Sequence, residues 1–410
     1  MPNLDEYNPW WYTGSVPKHL LKEYKREPYY QAERLLNKKE IIILTGLRRV
    51  GKTTIMYQLI DRLLQNGVDP KNVLYYSFDM GNERIADVIR EFTDTVAKSG
   101  KKYAFLDEIQ WAENWAADLK RIFDLNADTK IVASGSASVV VESNAIKFLA
   151  GRYYPLYVPT LRFREFCEMK GIKPEPWMEA KLSGMFKEFL AKSGFPGWVN
   201  EDPEYTKRIL REIVLDRIVL ADIPRLRRFR EINALTRLVE YITENSGFLA
   251  VLDELSSIIG VSKPTTSEML KYLEKTYLIR ILRNYGSPET AARTHRKIYV
   301  SDHGLYFGSD SGKRLETLIV AQLNAETFFR RGGKEVDTVW NDLAIEVKTN
   351  MPSPRQVRNL LWFAKKYGKQ PVVVTVEDEG SVSDVPVVPA WKFLLFGDKE
   401  LSSNHTTKKV

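Results

Sequence analysis

Cysteine is almost missing from this sequence of 410 residues, and long apolar runs are missing altogether. The one cysteine, Cys167, excludes an internal disulfide and a cluster of thiolate metal ligands, which fits a reducing compartment. The four histidines show no spacing typical of metal ligands. There is no run of about 18 apolar residues and no signal-peptide pattern at the start, so we expect a cytoplasmic protein that does not enter a membrane.

The excess of positive charge is also small. Lysine and arginine number 61 against 53 acidic residues, which gives a net charge of +8. This charge permits nucleic acid as a partner without requiring it. Hydrophobic residues make up 44% of the chain, an ordinary value for a soluble globular protein. The length predicts about two or three domains.

One stretch carries a specific signal. From Glu40 to Thr54 the chain reads EIIILTGLRRVGKTT, which places G-x-x-x-x-G-K-[ST] between an apolar strand pattern and an apolar helical pattern. A glycine-rich turn that only caps a helix is the alternative, but the order of strand, loop and helix favours a P-loop. The residues expected to contact nucleotide are Gly46, Leu47, Arg48, Arg49, Val50, Gly51, Lys52, Thr53 and Thr54.

The residue types in this loop suit a phosphate chain. Gly46 and Gly51 let successive N–H groups point inward, and the following helix adds its positive N-terminal end. Lys52 would place a charge on the outer phosphates, and Thr53 would offer a hydroxyl to Mg²⁺. The chain has no N/T-K-x-D signature of guanine specificity, so we expect ATP and Mg²⁺.

A second stretch, Tyr103 to Glu108, reads as a buried strand that ends in two acids. Asp107 would hold Mg²⁺ through water, and Glu108 would orient or deprotonate the attacking water. A solvated strand end is the alternative. An acid beside the magnesium ligand indicates a nucleotide hydrolase more than a kinase.

Two further residues are candidates for the same site. Lys130 to Ser136 predicts the next strand, and Ser136 could hold the attacking water or the γ-phosphate, with Ser134 as the competing choice. Arg152 could neutralise developing charge, either in its own chain or on a neighbouring subunit of a homo-oligomer. An ordinary surface ion pair is the other interpretation of Arg152.

Several motifs together resemble a family. The segments GLRRVGKTT, FLDEIQW, SGS, GRYYPLYVP with LRFREF, and SGFPGWV are similar to those of prokaryotic, especially archaeal, AAA-type ATPases that carry a C-terminal domain of unknown function. The resemblance covers nearly the whole chain. It implies an AAA-like core in which the Ser136 strand lies between the strand of Asp107 and the P-loop strand. It also implies a helical lid, a winged helix and a tail similar to a restriction-endonuclease core.

The middle of the chain reads as a winged helix. Helices at Leu235 to Asn245, Leu252 to Ile259 and Pro264 to Lys275 are followed by a β-hairpin that ends near Ser301. A DNA reader would turn one side of the third helix to the major groove and wing arginines to phosphate. The expected DNA contacts are Lys263, Thr265, Thr266, Ser267, Lys271, Arg293 and Arg296. Winged helices also bind proteins or act as lids, and Glu268 and Glu274 on the third helix favour that alternative.

The C-terminal region predicts a second cation site. Glu316 lies in a helical pattern, Asp337 on a strand, and Glu346 and Lys348 share one face of the next strand. This is the D…E-x-K layout of the restriction-endonuclease-like fold, in which the carboxylates could share a divalent cation and Lys348 could polarise water or stabilise the leaving phosphate. Such domains cut DNA, bind it without cutting, or keep the acids for stability.

The predicted fold class is α/β, with a parallel P-loop NTPase sheet, a helical lid, a winged helix-turn-helix and an α/β restriction-endonuclease-like domain. The predicted boundaries are 1–36 for an extended aromatic arm and a charged helix from about Pro17 to Leu36, 37–160 for the ATPase core, 161–230 for the lid, 231–300 for the winged helix, 301–398 for the nuclease-like domain and 399–410 for a frayed tail. The expected function is Mg²⁺-dependent ATP hydrolysis coupled to DNA binding, with metal-dependent cleavage left open. The alternative is a nucleotide-controlled signalling or scaffold switch whose winged helix binds protein and whose C-terminal domain is catalytically inactive.

Overall fold

The computed structural model describes residues 4–79, 83–125, 128–135, 148–215, 217–223, 231–286 and 296–403. The chain divides into two compact units, Met1–Pro159 and Thr160–Val410. Each unit contains its own β-sheet. Within the described ranges, every helix is too short or too polar to pass through a bilayer.

The first unit is built on a parallel sheet of five strands. The strands are β1 (Ile41–Thr45), β2 (Val73–Ser77), β3 (Lys102–Asp107), β4 (Thr129–Ser134) and β5 (Tyr153–Tyr157). The helices are α1 (Leu4–Tyr7), α2 (Trp10–Thr13), α3 (Glu27–Leu35), α4 (Lys52–Gln65), α5 (Ile85–Glu91) and α6 (Trp115–Leu125). The strand order is β2-β3-β4-β1-β5, and all neighbours run parallel. The order expected from the resemblance, with β4 between β1 and β3, is confirmed.

The residues of β1 explain why this sheet is central. All five are buried, as expected of a strand in a parallel sheet whose two faces are both covered. The run of three isoleucines also stiffens the backbone in the extended form. The strand therefore presents the P-loop from a rigid support.

The N-terminal prediction is wrong in detail. The segment around Trp10 and Trp11 is helical rather than extended, and both indoles are buried with their N–H groups donating to the carbonyl of Val73 at 2.9 Å. The predicted helix from Pro17 is instead a short 3₁₀ turn, Lys18–Leu20, followed later by α3. Pro28 lies in the first turn of α3, where proline starts a helix but cannot continue one.

The second unit is built on a mixed sheet of nine strands. These are β6 (Phe248–Ala250), β7 (Ile279–Asn284), β8 (Arg296–Val300), β9 (Thr327–Arg331), β10 (Lys334–Trp340), β11 (Leu343–Val347), β12 (Gln370–Thr375), β13 (Gly380–Val382) and β14 (Val385–Pro389). The order is β13-β14-β12-β11-β10-β9-β7-β8-β6. The α-helices are α7 (Phe163–Met169), α8 (Glu179–Ala191), α9 (Pro203–Ile209), α10 (Ile232–Asn245), α11 (Leu252–Ile259), α12 (Lys263–Lys275), α13 (Ser311–Leu323), α14 (Arg358–Tyr367) and α15 (Ala390–Ser403).

The helix-turn-helix pattern has the bounds that the sequence predicts, to within a few residues. Helix α11 ends at Gly260, whose φ of 74° suits glycine, and α12 begins after Ser262. The Ser262 hydroxyl caps α12 by accepting from the Thr265 N–H at 3.3 Å. Strands β7 and β8 then pair antiparallel, and β6 adds to β8.

The sheet of the predicted wing continues into the C-terminal region. Strand β7 pairs parallel with β9 through Arg283 opposite Thr327 and Asn284 opposite Phe328. Helices α7 and α8 also share one buried core with α13, β11, β12 and α15. Segments that the sequence analysis assigns to three domains are thus joined by one sheet and one core.

Candidate functional site

The loop after β1 has the backbone shape of a phosphate cradle. Gly46 and Gly51 have φ angles of 148° and 97°, and Arg49 between them has a φ of 64°. A Cβ on Gly46 would lie 2.3 Å from the carbonyl oxygen of Val158, so only glycine fits there. Helix α4 begins immediately after Gly51, which directs its first N–H groups into the loop.

Lys52 lies under this loop. Its side chain is buried, and Nζ donates to the carbonyl oxygens of Gly46 at 3.2 Å and Leu47 at 2.9 Å. Arg26, which is also buried, donates to the Val50 carbonyl at 2.8 Å. Side-chain cations therefore hold the loop at both ends.

Asp107 receives hydrogen bonds from three hydroxyl groups. Thr53 donates to Oδ2 at 2.7 Å and Tyr75 to the same oxygen at 2.9 Å, while Ser134 contacts Oδ1. Burial raises the pKa of Asp107, the charge of Glu108 adds to the rise, and the three hydroxyls oppose it. Because hydroxyl and carboxylate oxygens are the ligands that Mg²⁺ prefers, Thr53 and Asp107 fit a magnesium ion beside the loop.

Glu108 is held at the end of β3 in a left-handed conformation with a φ of 54°. Its N–H donates to Oδ1 of Asp107 at 3.1 Å and to Oγ of Ser134 at 3.3 Å. Gln110 contacts its carboxylate. A non-glycine residue in this backbone region is uncommon and often marks a functional position. The two consecutive acids therefore have different partners. Asp107 accepts a hydrogen bond from Thr53, and Glu108 accepts one from Gln110.

Of the two serine candidates, Ser134 lies in the described part of the chain and Ser136 lies outside it. Ser134, the competing choice, ends β4 and links Asp107 to the Glu108 backbone. This places Ser134 in the network that positions both acids.

Arg152 does not reach the nucleotide site of its own chain, so that part of the prediction is wrong. Its carbonyl accepts from the Ile41 N–H at 2.9 Å, which places it beside the start of β1, whereas the P-loop follows the end. Five residues of strand separate the two places by roughly 15 Å at about 3.3 Å per residue. The guanidinium instead pairs with Asp124 at 2.8 Å. A role on a neighbouring subunit stays a prediction.

The predicted DNA contacts on α12 separate into exposed and buried positions. Lys263, Ser267 and Lys271 are exposed at intervals of four residues and form one stripe of the helix. Thr266 is fully buried and donates to the Ser262 carbonyl at 3.1 Å, so its assignment to the groove is wrong.

The other predicted contacts are only partly available. Lys263 contacts Asp253, and Thr265 shares a hydrogen bond with the Ser262 hydroxyl at 2.8 Å. Arg296 is exposed at the start of β8. Arg293 lies outside the described residues.

The four predicted residues of the C-terminal cation site do come together. Lys348 Nζ lies 2.7 Å from Glu346 and 3.9 Å from Asp337, and the Val347 N–H donates to Asp337 at 2.9 Å. Burial and the charge of Asp337 raise the pKa of Glu346 to about 8, and the same two causes raise the pKa of Glu316.

A lysine lies among these acids. No group of three histidine, cysteine, aspartate or glutamate side chains among the described residues is placed to hold a metal ion, and a metal site at Glu316, Asp337 and Glu346 stays a prediction. Lys297 Nζ lies 3.1 Å from Glu316, 2.7 Å from Glu335 and 3.7 Å from Asp337.

The sequence analysis missed Lys297, Tyr299 and Glu335. Lys297 and Tyr299 share one face of β8 because they are two residues apart, and the Tyr299 hydroxyl donates to Glu316 at 2.5 Å. A lysine and a tyrosine on the same face of a buried strand were the available signal. The carboxylates that this face contacts, those of Glu316, Glu335 and Asp337, are distant in sequence, so the pattern could not identify them.

Two family models match this chain. Residues 38–167 match a model described as an AAA domain, and residues 183–308 match a domain of unknown function, DUF8612. The second match covers the later part of the predicted lid, the whole predicted winged helix and the first residues of the predicted nuclease-like domain, and it ends before Glu316. The first match and the loop geometry agree, so the chain contains an AAA-type P-loop ATPase domain.

The similarity to two uncharacterized proteins covers most of the chain. An uncharacterized protein of Haemophilus influenzae is 25% identical over 404 residues, covering 90% of this chain and 98% of its own. The uncharacterized protein MJ1544 of Methanocaldococcus jannaschii is 25% identical over 399 residues, 87% of this chain and 88% of its own.

Among solved structures, the Walker-type ATPase PABY2304 of Pyrococcus abyssi has a TM-score of 0.46 at 13% identity, over 69% of this chain and 94% of its own. The ORC1 protein of Aeropyrum pernix, solved in complex with DNA, has a TM-score of 0.34 at 12% identity, over 74% and 94%.

Proposed function

We propose that this chain hydrolyses ATP at the P-loop in a Mg²⁺-dependent reaction and couples the reaction to DNA through α11 and α12. The observation that carries the proposal is the contact between Thr53 and Asp107 at 2.7 Å beneath the phosphate cradle. It brings the two expected magnesium ligands together, although they are 54 residues apart in the chain.

Each residue has a separate role in the proposed reaction. The loop N–H groups and Lys52 bind the phosphate chain of ATP, and Thr53 and Asp107 hold the metal. A magnesium ion held by Thr53 and Asp107 would supply positive charge that offsets the negative charge of the phosphates. Glu108 orients or deprotonates the attacking water, which makes the site a hydrolase. Ser134 positions the two acids.

The decisive variant is Glu108→Gln, because it keeps the shape of the side chain and removes the base. We expect ATP turnover to fall by about 100-fold or more, the contribution typical of general-base catalysis, while binding of a fluorescent ATP analogue is retained. Glu113→Gln is the matched control, since Glu113 is exposed five residues further along. Unchanged turnover in Glu108→Gln would contradict the assigned role.

DNA coupling rests on a different observation, the exposed stripe of Lys263, Ser267 and Lys271 with Arg296. The same turnover assay with duplex and branched DNA tests it, together with DNA binding at several salt concentrations. We expect DNA to accelerate turnover and Lys271→Ala to weaken binding and lower the salt dependence, because a lysine at phosphate releases counterions.

A protein-binding switch is the second candidate. It is favoured by the contact of Lys263 with Asp253, which already neutralises one cation of the stripe. Turnover that is indifferent to DNA, with no salt-sensitive DNA binding, would support this candidate instead.

A further inference from the structure

The acidic centre of the second unit already contains a cation from its own chain. Lys297 extends from β8 between three carboxylates, those of Glu316 on α13 and of Glu335 and Asp337 on β10. Its side chain is only 5% exposed. A buried ammonium surrounded by three carboxylates is a filled cation position, made of groups from three different elements.

Two lysines face the carboxylates around this position. Four carboxylates, those of Glu316, Glu335, Asp337 and Glu346, face the two ammonium groups of Lys297 and Lys348. Lys297 Nζ lies 2.7 Å from Glu335, 3.1 Å from Glu316 and 3.7 Å from Asp337. Phe328 covers the ammonium on one side, at 5.7 Å from the ring centre.

We propose that Lys297 is the resident cation of this centre, taking the place that a divalent metal would need and closing the nuclease-like site to metal-dependent cleavage. The centre then has a different role. It fastens β8, and with it the predicted wing, to the C-terminal helix and sheet.

The proposal follows from the geometry of ligands. A divalent cation needs carboxylate oxygens at about 2.0–2.6 Å. One oxygen each of Glu316, Glu335 and Asp337 faces the Lys297 ammonium. One oxygen of Glu346 faces Lys348, and its other oxygen is buried with no hydrogen-bond partner among the described residues. A metal could not share the position of the Lys297 ammonium, because two cations within a few ångströms in a water-poor site repel strongly. Metal entry therefore requires Lys297 to leave, and its departure would break three ion pairs at once.

Wild type and Asp337→Asn, both as the full chain, show whether this centre binds a metal. Free Mn²⁺ is measured by electron paramagnetic resonance in the absence of nucleotide. Wild type and Asp337→Asn should bind the same amount of Mn²⁺, because the proposal gives wild type no metal at this centre. Wild type binding one more Mn²⁺ per chain than Asp337→Asn would overturn it. So would Mg²⁺- or Mn²⁺-dependent DNA cleavage that Asp337→Asn abolishes. This comparison does not depend on a Lys297 variant that folds.

The direct test is Lys297→Met, which keeps most of the side-chain length and removes the charge. We expect it to bind one Mn²⁺ per chain beyond wild type, and the double variant Lys297→Met/Asp337→Asn to lose that gain. Lys130→Met is the matched control, because Lys130 is a buried lysine whose Nζ contacts backbone carbonyls instead of carboxylates. It should gain no Mn²⁺.

Circular dichroism melting and ATP turnover of each variant report whether it is folded. A folded Lys297→Met protein that gains no Mn²⁺ would overturn the proposal. The ATPase reaction is measured on the same samples, so a failure of the proposed ATPase function would be seen separately.

Discussion

At the scale of single residues, Thr53 tests the proposed Mg²⁺ site of the P-loop. Its hydroxyl donates to the carboxylate of Asp107 at 2.7 Å. Thr53→Ala should lower Mg²⁺-dependent ATP turnover by about 10- to 100-fold, the range found for groups around metal sites. It should also raise the Mg²⁺ concentration needed for half-maximal rate, and Thr53→Ser should restore both because it keeps the hydroxyl. A magnesium titration of turnover measures this, and an unchanged Thr53→Ala titration would contradict the role.

Lys130 gives the first unit a predictable dependence on pH. Its Nζ donates to the carbonyls of Lys38 at 2.8 Å and Glu40 at 2.5 Å, and the residue is buried. Burial, followed by the charge of Lys101, lowers the pKa of Lys130 to about 8 from 10.5. The folded state thus resists the charged form that the unfolded chain keeps until about pH 10.4.

The sign of the effect follows from linkage. Between about pH 8 and pH 10 the unfolded chain binds the Lys130 proton more strongly than the folded chain, so this residue makes stability rise with pH. Thermal midpoints of wild type relative to Lys130→Met should therefore increase across that range, by the equivalent of up to about 3 kcal/mol. Melting curves at several pH values measure the difference. Midpoints that run parallel in the two proteins would show that the ammonium is not buried as described.

At the scale of elements, Gly194 of the SGFPGWV motif makes a close backbone contact. Its N–H donates to both carboxylate oxygens of Asp302, at 3.2 and 3.1 Å. A Cβ on Gly194 would lie 2.5 Å from Asp302 Oδ2 and 3.0 Å from Thr160 Cβ. Gly194 joins the end of α8 to the turn after β8, where no larger residue fits.

The matched pair Gly194→Ala and Gly184→Ala isolates this steric effect. Gly194→Ala should lower the free energy of unfolding of the second unit by about 1 to 3 kcal/mol through overpacking. Gly184 lies exposed in α8 with nothing within 4 Å of an added Cβ, so Gly184→Ala should stabilise by about 0.5 to 1 kcal/mol through its better helix propensity. Urea unfolding of the two variants measures both, and equal values would contradict the close contact.

Local elements were predictable where the signal was local. The strand, loop and helix of the P-loop and the bounds of α11 follow from periodicity, glycine positions and capping residues, which act within a few residues. The contact between Thr53 and Asp107 could be anticipated because strand ends of a parallel sheet meet at one edge. The site residues of the P-loop were within reach of sequence reasoning for the same reason.

Other features depend on which distant segment covers a face. Periodicity shows that α7 and α8 have apolar faces, but it does not reveal that α13 and β11 cover them. Arg152 is a basic residue at a position in the sequence that suits a phosphate contact. It lies beside the start of β1, at the end of the sheet opposite the P-loop. Lys297 was overlooked because its three carboxylates come from α13 and β10, which are later in the chain.

At the scale of the whole molecule, the second unit should behave as one folding unit. The predicted boundary near residue 300 separates strands that pair in one sheet, β7 with β9, and cuts Lys297 from its acids. The predicted boundary near residue 230 separates α7 and α8 from the core that they share with α13 and β11. A cut near residue 230 would expose the apolar core. A cut near residue 300 would expose the buried charges around Lys297.

Two fragments test this view directly. A fragment of residues 160–410 should fold and melt cooperatively, since it keeps the nine-stranded sheet and its core intact. A fragment of residues 301–410 should be insoluble or lack a cooperative transition, because it loses the β7 edge partner, the α7 and α8 side of the core and the cation of the acidic centre. Circular dichroism melting and proton NMR dispersion distinguish the outcomes. A well-folded shorter fragment would show that the C-terminal acids can be stable without Lys297, and that the wing is an attachment rather than part of the same body.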